Sequence, residues 1–221
     1  MMYLVKTPLF IPLLFPKYWW QLPAKTKELY LTFDDGPTPN VTEWVLKELA
    51  RYQAKATFFL VGNNVSKFPE ITRQIISEGH EIGNHTYTHL HGWKAHPEKY
   101  LEEINRTNDV IYQTTGRIPT LFRPPYGKFS RFARPAILQR HQIVMWDVLP
   151  GDFDPTISSQ MCLSNALTHI KAGAIYVLHD SLKCQHKIEY VLPKLLDTIY
   201  ERGLTSETLP IPSFLPEAIT A

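Results

Sequence analysis

The stretch LYLTFDDGP at residues 29–37 decides the fold. Its first five residues are apolar or favour β structure, so they predict a buried strand, and Gly36-Pro37 predicts a sharp turn directly after the acids. Asp34 and Asp35 therefore stand at the mouth of a buried strand. Two adjacent carboxylates are costly there unless a positive group, most simply a metal ion, lies beside them. A helix N-cap could use one aspartate but leaves the second without a role.

The composition is compatible with one large α/β domain. The chain has 221 residues, of which 44% are hydrophobic, enough for a substantial core. The net charge is only +2 and no run of five basic residues occurs, so we expect no nucleic-acid partner. Two cysteines, Cys162 and Cys184, are too few for a disulfide scaffold, and the sequence does not show whether they pair. Because no Cys-x-x-Cys spacing occurs, any metal must use other ligands.

The N-terminal segment is apolar but short. Residues 7–16, TPLFIPLLFP, contain three prolines. A membrane span needs about 20 apolar residues, so no transmembrane segment is predicted. No small-residue cleavage site follows, which argues against a signal peptide. We expect residues 1–27 to form an extension that packs on the domain, with a weak membrane-surface anchor as the alternative, and we expect a cytoplasmic protein.

From residue 28 onward, strand-like and helix-like segments alternate. Strands are predicted at 28–33, 56–61, 81–84, 121–123, 143–147, 174–178 and 204–208. Helices are predicted at 40–53, 67–78, 96–115, 129–140, 157–171 and 186–202. This order predicts parallel strands joined by right-handed crossovers, in an open sheet or an irregular barrel. No linker or repeat divides the chain, so we expect a single domain.

Two histidines follow the third predicted strand, in the segment HTYTH at residues 85–89. On one face of a helical turn, His85 and His89 would be spaced i and i+4 and could both reach one metal. This spacing is a weak signal by itself. Its position strengthens it, because ligands of barrels and open α/β sheets bind at the carboxyl ends of the strands.

Three later strand ends also carry polar side chains. Arg123 precedes two prolines that stiffen its loop, which makes it a candidate charge clamp. The loop at 146–154 contains three carboxylates, Asp152 among them, and the sixth strand ends in His179. We expect all these groups at the sheet edge that carries Asp34, since chance would scatter them between both edges.

The motifs resemble those of polysaccharide deacetylases with a NodB-homology domain, carbohydrate esterase family four. They occur in the family's order and span residues 28–208: TFDDGP at 32–37, HTYTH at 85–89, RPPY at 123–126 and LHD at 178–180. The resemblance implies a deformed (β/α) barrel of about seven parallel strands over residues 28–210, followed by a C-terminal tail at 211–221. It also implies metal-dependent removal of N-acetyl groups, sometimes O-acetyl groups, from amino-sugar substrates such as chitin oligomers or peptidoglycan.

The resemblance also implies a metal site. Asp35, His85 and His89 would bind a divalent metal, usually Zn²⁺. One carboxylate and two imidazoles leave positions open for water and substrate. The same triad could hold Fe(II) in an oxygenase, but that alternative leaves the other polar residues without roles and does not suit the α/β alternation.

The catalytic roles follow by position from the same resemblance. Asp34 would be the general base, held in place by Arg123. The backbone N–H of Tyr126 would help to stabilise the tetrahedral oxyanion. His179 would be the general acid that protonates the departing amine, oriented by Asp152.

Two positions depart from the family pattern. Phe153 stands where Trp is usual, and Val177 stands where Leu is usual. Neither belongs to the catalytic set, so we expect both to affect substrate preference more than activity. Small amides or cyclic ureides are alternative substrates. A catalytically silent sugar-binding relative is a further alternative, but such a protein should have lost a catalytic residue, and this chain has lost none.

Overall fold

The structure, a computed structural model, describes residues 3–24 and 26–212. Within these ranges the strands are β1 (Glu28–Asp34), β2 (Ala56–Leu60), β3 (Glu81–Asn84), β4 (Leu121–Phe122), β5 (Gln142–Ile143), β6 (Ile175–His179) and β7 (Thr205–Ser206). They form one parallel sheet in the order β5-β4-β3-β2-β1-β6, and β7 pairs with the start of β1. The predicted α/β class with parallel strands is confirmed.

Helices connect the strands. They are α1 (Phe10–Leu14), α2 (Val41–Arg51), α3 (Gly62–Lys67), α4 (Pro69–Ser77), α5 (Pro97–Thr115), α6 (Arg134–Leu138), α7 (Ser159–Thr168) and α8 (Gln185–Glu201). The helix predicted at 67–78 is confirmed as α4, whereas the short α3 before it was not predicted, and Pro69 begins α4. Proline lacks an N–H to continue a preceding helix but suits the first helical position. The helix predicted at 129–140 is reduced to the five residues of α6.

The chain after β5 closes the sheet into a deformed barrel. Residues 144–148 continue from β5 and reach β6, where Val148 N–H donates to the Ile175 carbonyl at 3.0 Å. Val177 N–H in turn donates to the Val148 carbonyl at 3.0 Å. The barrel that the sequence predicts is confirmed, and it forms a single domain.

The N-terminal segment is hydrogen-bonded to this closing stretch. Thr7 N–H donates to the Asp147 carbonyl at 2.9 Å, and Trp19 N–H donates to the Ile143 carbonyl at 3.0 Å. The segment therefore lies along the part of the barrel where the sheet closes. Of the predicted tail at 211–221, residues 213–221 lie outside the described residues.

One face of β1 packs in the hydrophobic core, and the other face carries side chains of the site. Leu31 and Phe33 belong to the main hydrophobic core, and Phe33 stacks on Phe58 at 5.1 Å between ring centroids. Successive strand residues point to opposite faces. Thr32 and Asp34 accordingly share the other face of the strand, on the inside of the barrel, and both bond to the buried Arg123.

Cys162 and Cys184 are both buried and free. Across residues 3–24 and 26–212, no helix combines the length and the apolar character that crossing a membrane requires.

Candidate active site

The two aspartates reach one pocket because the backbone turns between them. Asp34 is the last residue of β1, and Asp35 adopts a left-handed conformation with φ of 81°. The turn thus begins at Asp35, one residue earlier than the predicted Gly36-Pro37. Both carboxylates line the same cavity of about 470 Å³ at the carboxyl ends of the strands.

The two histidines follow β3 in a loop, so the predicted helical turn is wrong. The Asn84 side-chain oxygen accepts the Thr86 N–H at 2.8 Å, a local bond that competes with helix formation. Thr86 and His89 have left-handed φ values of 63° and 57°. The loop still brings the His85 and His89 rings together, with centroids 5.1 Å apart.

The ring nitrogens of both histidines face Asp35. Nδ1 of His85 lies 2.7 Å from the Arg123 carbonyl oxygen. Because a carbonyl can only accept, Nδ1 carries the proton and Nε2 keeps its lone pair. Nε2 lies 3.9 Å from Oδ1 of Asp35, and Nε2 of His89 lies 3.2 Å from the same oxygen.

These three side chains fit a divalent metal ion. They offer one ligand atom each, all within 4.8 Å of one another. Among the residues that the structure describes, Oδ1 of Asp35 is a buried oxygen without a hydrogen-bond partner, which is the state expected of a group that awaits a cation. A carboxylate with two imidazoles is a common zinc donor set.

The ionisation of this cluster suits metal binding. Burial raises the pKa of Asp35, but the charges of His179 and Lys183, and those of His85 and His89 when these are protonated at low pH, outweigh it and hold that pKa at about 2. Burial lowers the pKa of His89 to about 4 and also lowers that of His85. At neutral pH the carboxylate is therefore ionised and both imidazoles are neutral, which is the form in which they act as ligands.

A fully buried arginine holds Asp34. Nη1 of Arg123 donates to Oδ1 of Asp34 at 2.7 Å and lies 2.6 Å from Oγ1 of Thr32. Nη2 donates to the Met145 carbonyl at 2.9 Å. The guanidinium also lies over the Phe59 ring, 4.1 Å from its centroid. The second oxygen of Asp34, Oδ2, lies 3.9 Å from Nε2 of His85.

His179 and Asp152 form a second buried pair. Oδ1 of Asp152 lies 2.9 Å from Nδ1 of His179, and Oδ2 accepts the His179 backbone N–H at 2.6 Å. Burial lowers the pKa of His179, but Asp152 outweighs it and raises that pKa to about 9. The ring is thus protonated at neutral pH. It lines the same cavity as Asp35, His85 and His89.

The structure gathers the predicted residues in and around one cavity. Six of them line it: Asp34, Asp35, His85, His89, Tyr126 and His179. Arg123 and Asp152 do not line it but bond to Asp34 and His179, which do. Tyr126 sits in a short 3-10 turn, Pro125–Gly127, and its ring lies 4.7 Å from that of His89.

Several lining residues were not predicted. Nζ of Lys183 lies 3.4 Å from Oδ2 of Asp35, and no motif pointed to it, although it follows His179 by four residues. Trp20, Tyr3 and Ile11 line the cavity from the N-terminal segment. The tryptophan pair at 19–20 was a visible signal for a wall residue. Phe153 and Val177, the two departures from the family pattern, both line the cavity as well.

Sequence comparison finds one family model, described as polysaccharide deacetylase, that matches residues 21–144. A peptidoglycan-N-acetylglucosamine deacetylase of Bacillus cereus is 34% identical over 191 residues, which cover 85% of this chain and 69% of that protein. A chitooligosaccharide deacetylase of a Bradyrhizobium strain is 34% identical over 161 residues, covering 70% of this chain and 71% of that one.

Solved structures with the same fold include the Bc1960 peptidoglycan N-acetylglucosamine deacetylase. Its TM-score is 0.84 at 32% identity, covering 92% of this chain and 95% of that chain. The CE4 domain of a multidomain xylanase from a termite hindgut metagenome has a TM-score of 0.77 at 32% identity, covering 84% and 88% of the two chains.

Proposed function

Because the chain belongs to the polysaccharide deacetylase family, we propose that it is a metal-dependent hydrolase of N-acetylated amino-sugar oligo- or polysaccharides, of the chitooligosaccharide or peptidoglycan type. The observation that carries the proposal is that the two adjacent carboxylates have different partners. Asp35 faces two neutral imidazoles, whereas Asp34 is bonded to a buried guanidinium. One acid is thus suited to bind a metal and the other to move a proton.

The three ligands would hold a divalent ion, which supplies Lewis-acid activation of water and positive charge for the oxyanion. Asp35, His85 and His89 form this set, and zinc suits their donor atoms. Asp35 stays ionised because the charges around it keep its pKa at about 2.

Asp34 takes a proton from the attacking water. Arg123 fixes Oδ1 at 2.7 Å, so Oδ2 is the oxygen free to accept that proton. The water oxygen bonds to the acetyl carbon, and the carbonyl oxygen becomes negative. The backbone N–H of Tyr126, on the cavity wall, stabilises this charge by donating a hydrogen bond.

His179 completes the reaction. Its Nδ1–H is bonded to Asp152, so Nε2–H is the proton available to the departing nitrogen. When the C–N bond breaks, the products are acetate and a free amine on the sugar. A pKa of about 9 keeps the ring protonated for this step at neutral pH.

The substrate assignment rests on the relatives, whose names refer to peptidoglycan and chitooligosaccharides. The test combines metal analysis of the purified protein with an acetate-release panel of chitin oligomers, peptidoglycan fragments, small amides and cyclic ureides. We expect about one divalent ion per chain and acetate from the sugar substrates. Release from small amides alone would overturn the substrate assignment. Metal binding without any release would support the catalytically silent alternative.

The cytoplasmic location stays a prediction. Fractionation of producing cells, with the protein traced by antibody, tests it directly.

A further inference from the structure

An exposed apolar wedge lies beside the pocket. We define the wedge as residues 9–15, which include α1. No residue of α1 is buried, and Leu9 and Leu13 are 76% and 79% exposed. The other large apolar side chains exposed in the wedge are Phe10, Leu14 and Phe15. Monomeric proteins rarely expose so many large apolar side chains together unless the patch contacts something.

The wedge is held in a fixed position relative to the pocket mouth. Pro8 and Ile11 line the pocket itself. The Phe15 ring stacks on Tyr18 at 5.7 Å, and Tyr18 packs edge-on against Phe129 at 5.8 Å. A surface that contacts the wedge would therefore also lie close to the pocket mouth.

Exposed aromatic side chains paired with cations continue the surface past the wedge. Trp93 is 68% exposed and lies under Nζ of Lys128, which is 4.8 Å from its ring centroid. Phe132 is 69% exposed, and the Arg131 guanidinium lies 4.8 Å from its ring centroid. Lys128 also lines the pocket. Aromatic and basic side chains interleaved in this way are typical of surfaces that enter a lipid headgroup layer.

The segments that form this face carry basic but no acidic residues. The sequence contains no aspartate or glutamate at residues 1–27, 89–97 or 118–146, which supply the wedge and the aromatic–cation pairs. The exposed lysines and arginines that the structure describes in these segments are Lys17, Lys27, Lys94, Arg131, Arg134 and Arg140. An anionic surface would meet no carboxylate from these segments, whereas a second copy of this chain would bring their like charges together.

We propose that this face docks on an anionic phospholipid bilayer. The leucines and phenylalanines of the wedge enter the headgroup region, and the surrounding lysines and arginines contact lipid phosphates. Docking places the pocket mouth at the bilayer surface, so the sugar reached there is one held close to a membrane. Lipid binding is measured without any turnover. The docking proposal can therefore be refuted while the proposed reaction is upheld, and the reaction can be refuted while docking is upheld.

The test is flotation with vesicles of phosphatidylcholine alone or mixed with phosphatidylglycerol. The wild-type protein should float with the mixed vesicles, and binding should fall as salt rises. Leu13→Glu and Leu14→Glu should each lower the partition coefficient about tenfold or more, because each removes one leucine side chain that would be buried in the bilayer. Neither side chain is buried in the protein, so folding should be unaffected, and a thermal melt checks this.

The matched control is Tyr200→Glu. Tyr200 is 75% exposed near the end of α8, next to the chain that enters β7, and so lies at the opposite edge of the barrel from the pocket. It should float like the wild type. Equal floating of the Leu13 variant and this control would refute the proposal, as would equal binding to neutral vesicles. Sedimentation of a wild-type dimer that Leu13→Glu dissociates would assign the face to a second copy instead.

Discussion

At the scale of single residues, the two neighbouring aspartates should fail in different ways. Asp34→Asn keeps an oxygen for the Arg123 hydrogen bond but removes the proton acceptor. We expect no acetate release from N-acetylglucosamine oligomers and a metal content near that of the wild type. Metal analysis of the variant checks this, and loss of the metal would show that Asp34 is a ligand.

Asp35→Asn is the matched control for that prediction. It removes the carboxylate that the two imidazoles face. Both activity and metal content should fall, and added Zn²⁺ should not restore them at the concentrations that serve the wild type. The contrast between the variants separates a role in metal binding from a role in proton transfer.

His179 should set the alkaline limit of activity. Asp152 raises its pKa to about 9, so the ring is protonated below that pH and kcat should fall as pH rises through it. Asp152→Asn removes the carboxylate and should move this limb to lower pH. If the alkaline limb of the Asp152→Asn variant stays at the wild-type pH, the His179–Asp152 pair does not deliver the proton.

His179→Ala should lower kcat by about 10²–10⁴-fold, the usual contribution of general acid–base catalysis. Its pH–rate profile should lack the alkaline limb of the wild type, which a purely structural defect would not remove. Turnover within a few-fold of the wild type would take His179 out of the mechanism.

The sequence predicted which residues form the site better than it predicted their backbone conformation. Carboxylates and histidines at strand ends must meet when parallel strands share an edge, so their convergence follows from the order of elements alone. The loop at His85 and His89 was not predictable from i, i+4 spacing, because the Asn84 side chain bonds to the Thr86 N–H instead. Lys183 had no signal, since its contact with Asp35 depends on tertiary packing.

At the scale of elements, Gly83 in β3 leaves room for the Phe59 ring, which lies against Arg123. A Cβ added at Gly83 would lie 2.5 Å from two atoms of the Phe59 ring. Phe59 is fully buried, and the Arg123 guanidinium lies over its ring. The ring therefore cannot move without disturbing the arginine that holds Asp34.

Gly83→Ala should accordingly lower both stability and turnover. Overpacking of this kind costs about 1–3 kcal/mol, measurable by urea unfolding. We expect kcat to fall while metal content is kept, because the Arg123 guanidinium that lies over Phe59 bonds to Asp34 and not to a proposed metal ligand. Gly116→Ala is the comparison: its added Cβ meets nothing within 4 Å, so only the strain of its φ of 72° remains. That variant should keep its kcat.

The elements also show which features a local sequence pattern cannot predict. Periodicity and Gly or Pro signals locate long segments such as β1 and α8. They also place strands at 121–123 and 143–147, where β4 and β5 lie, but they do not give the two-residue length of these strands or their pairing, which depends on partners distant in sequence. The closure through Val148 and β6 is of the same kind, because it joins backbone groups that no local pattern relates.

At the scale of the whole molecule, buried histidines link stability to pH. Burial lowers the pKa of His80 and of His141 to about 4, whereas an unfolded histidine titrates near 6.5. Between these values the unfolded chain binds protons that the folded chain does not. Stability is then lost as pH falls from about 6.5 towards 4, by about 1.4 kcal/mol per pH unit for each histidine.

His179 acts in the opposite direction. Its pKa is raised to about 9, so its contribution to stability is complete below about 6.5 and is lost as pH rises through 9. We expect the free energy of unfolding to be greatest near pH 6.5. Urea unfolding from pH 4 to pH 9 measures it. The double variant His80→Asn/His141→Asn should reduce the acid slope and leave the part carried by His85 and His89, whereas His186→Asn, at an exposed position, should not change it. An acid slope unchanged in the double variant would show that other groups carry it.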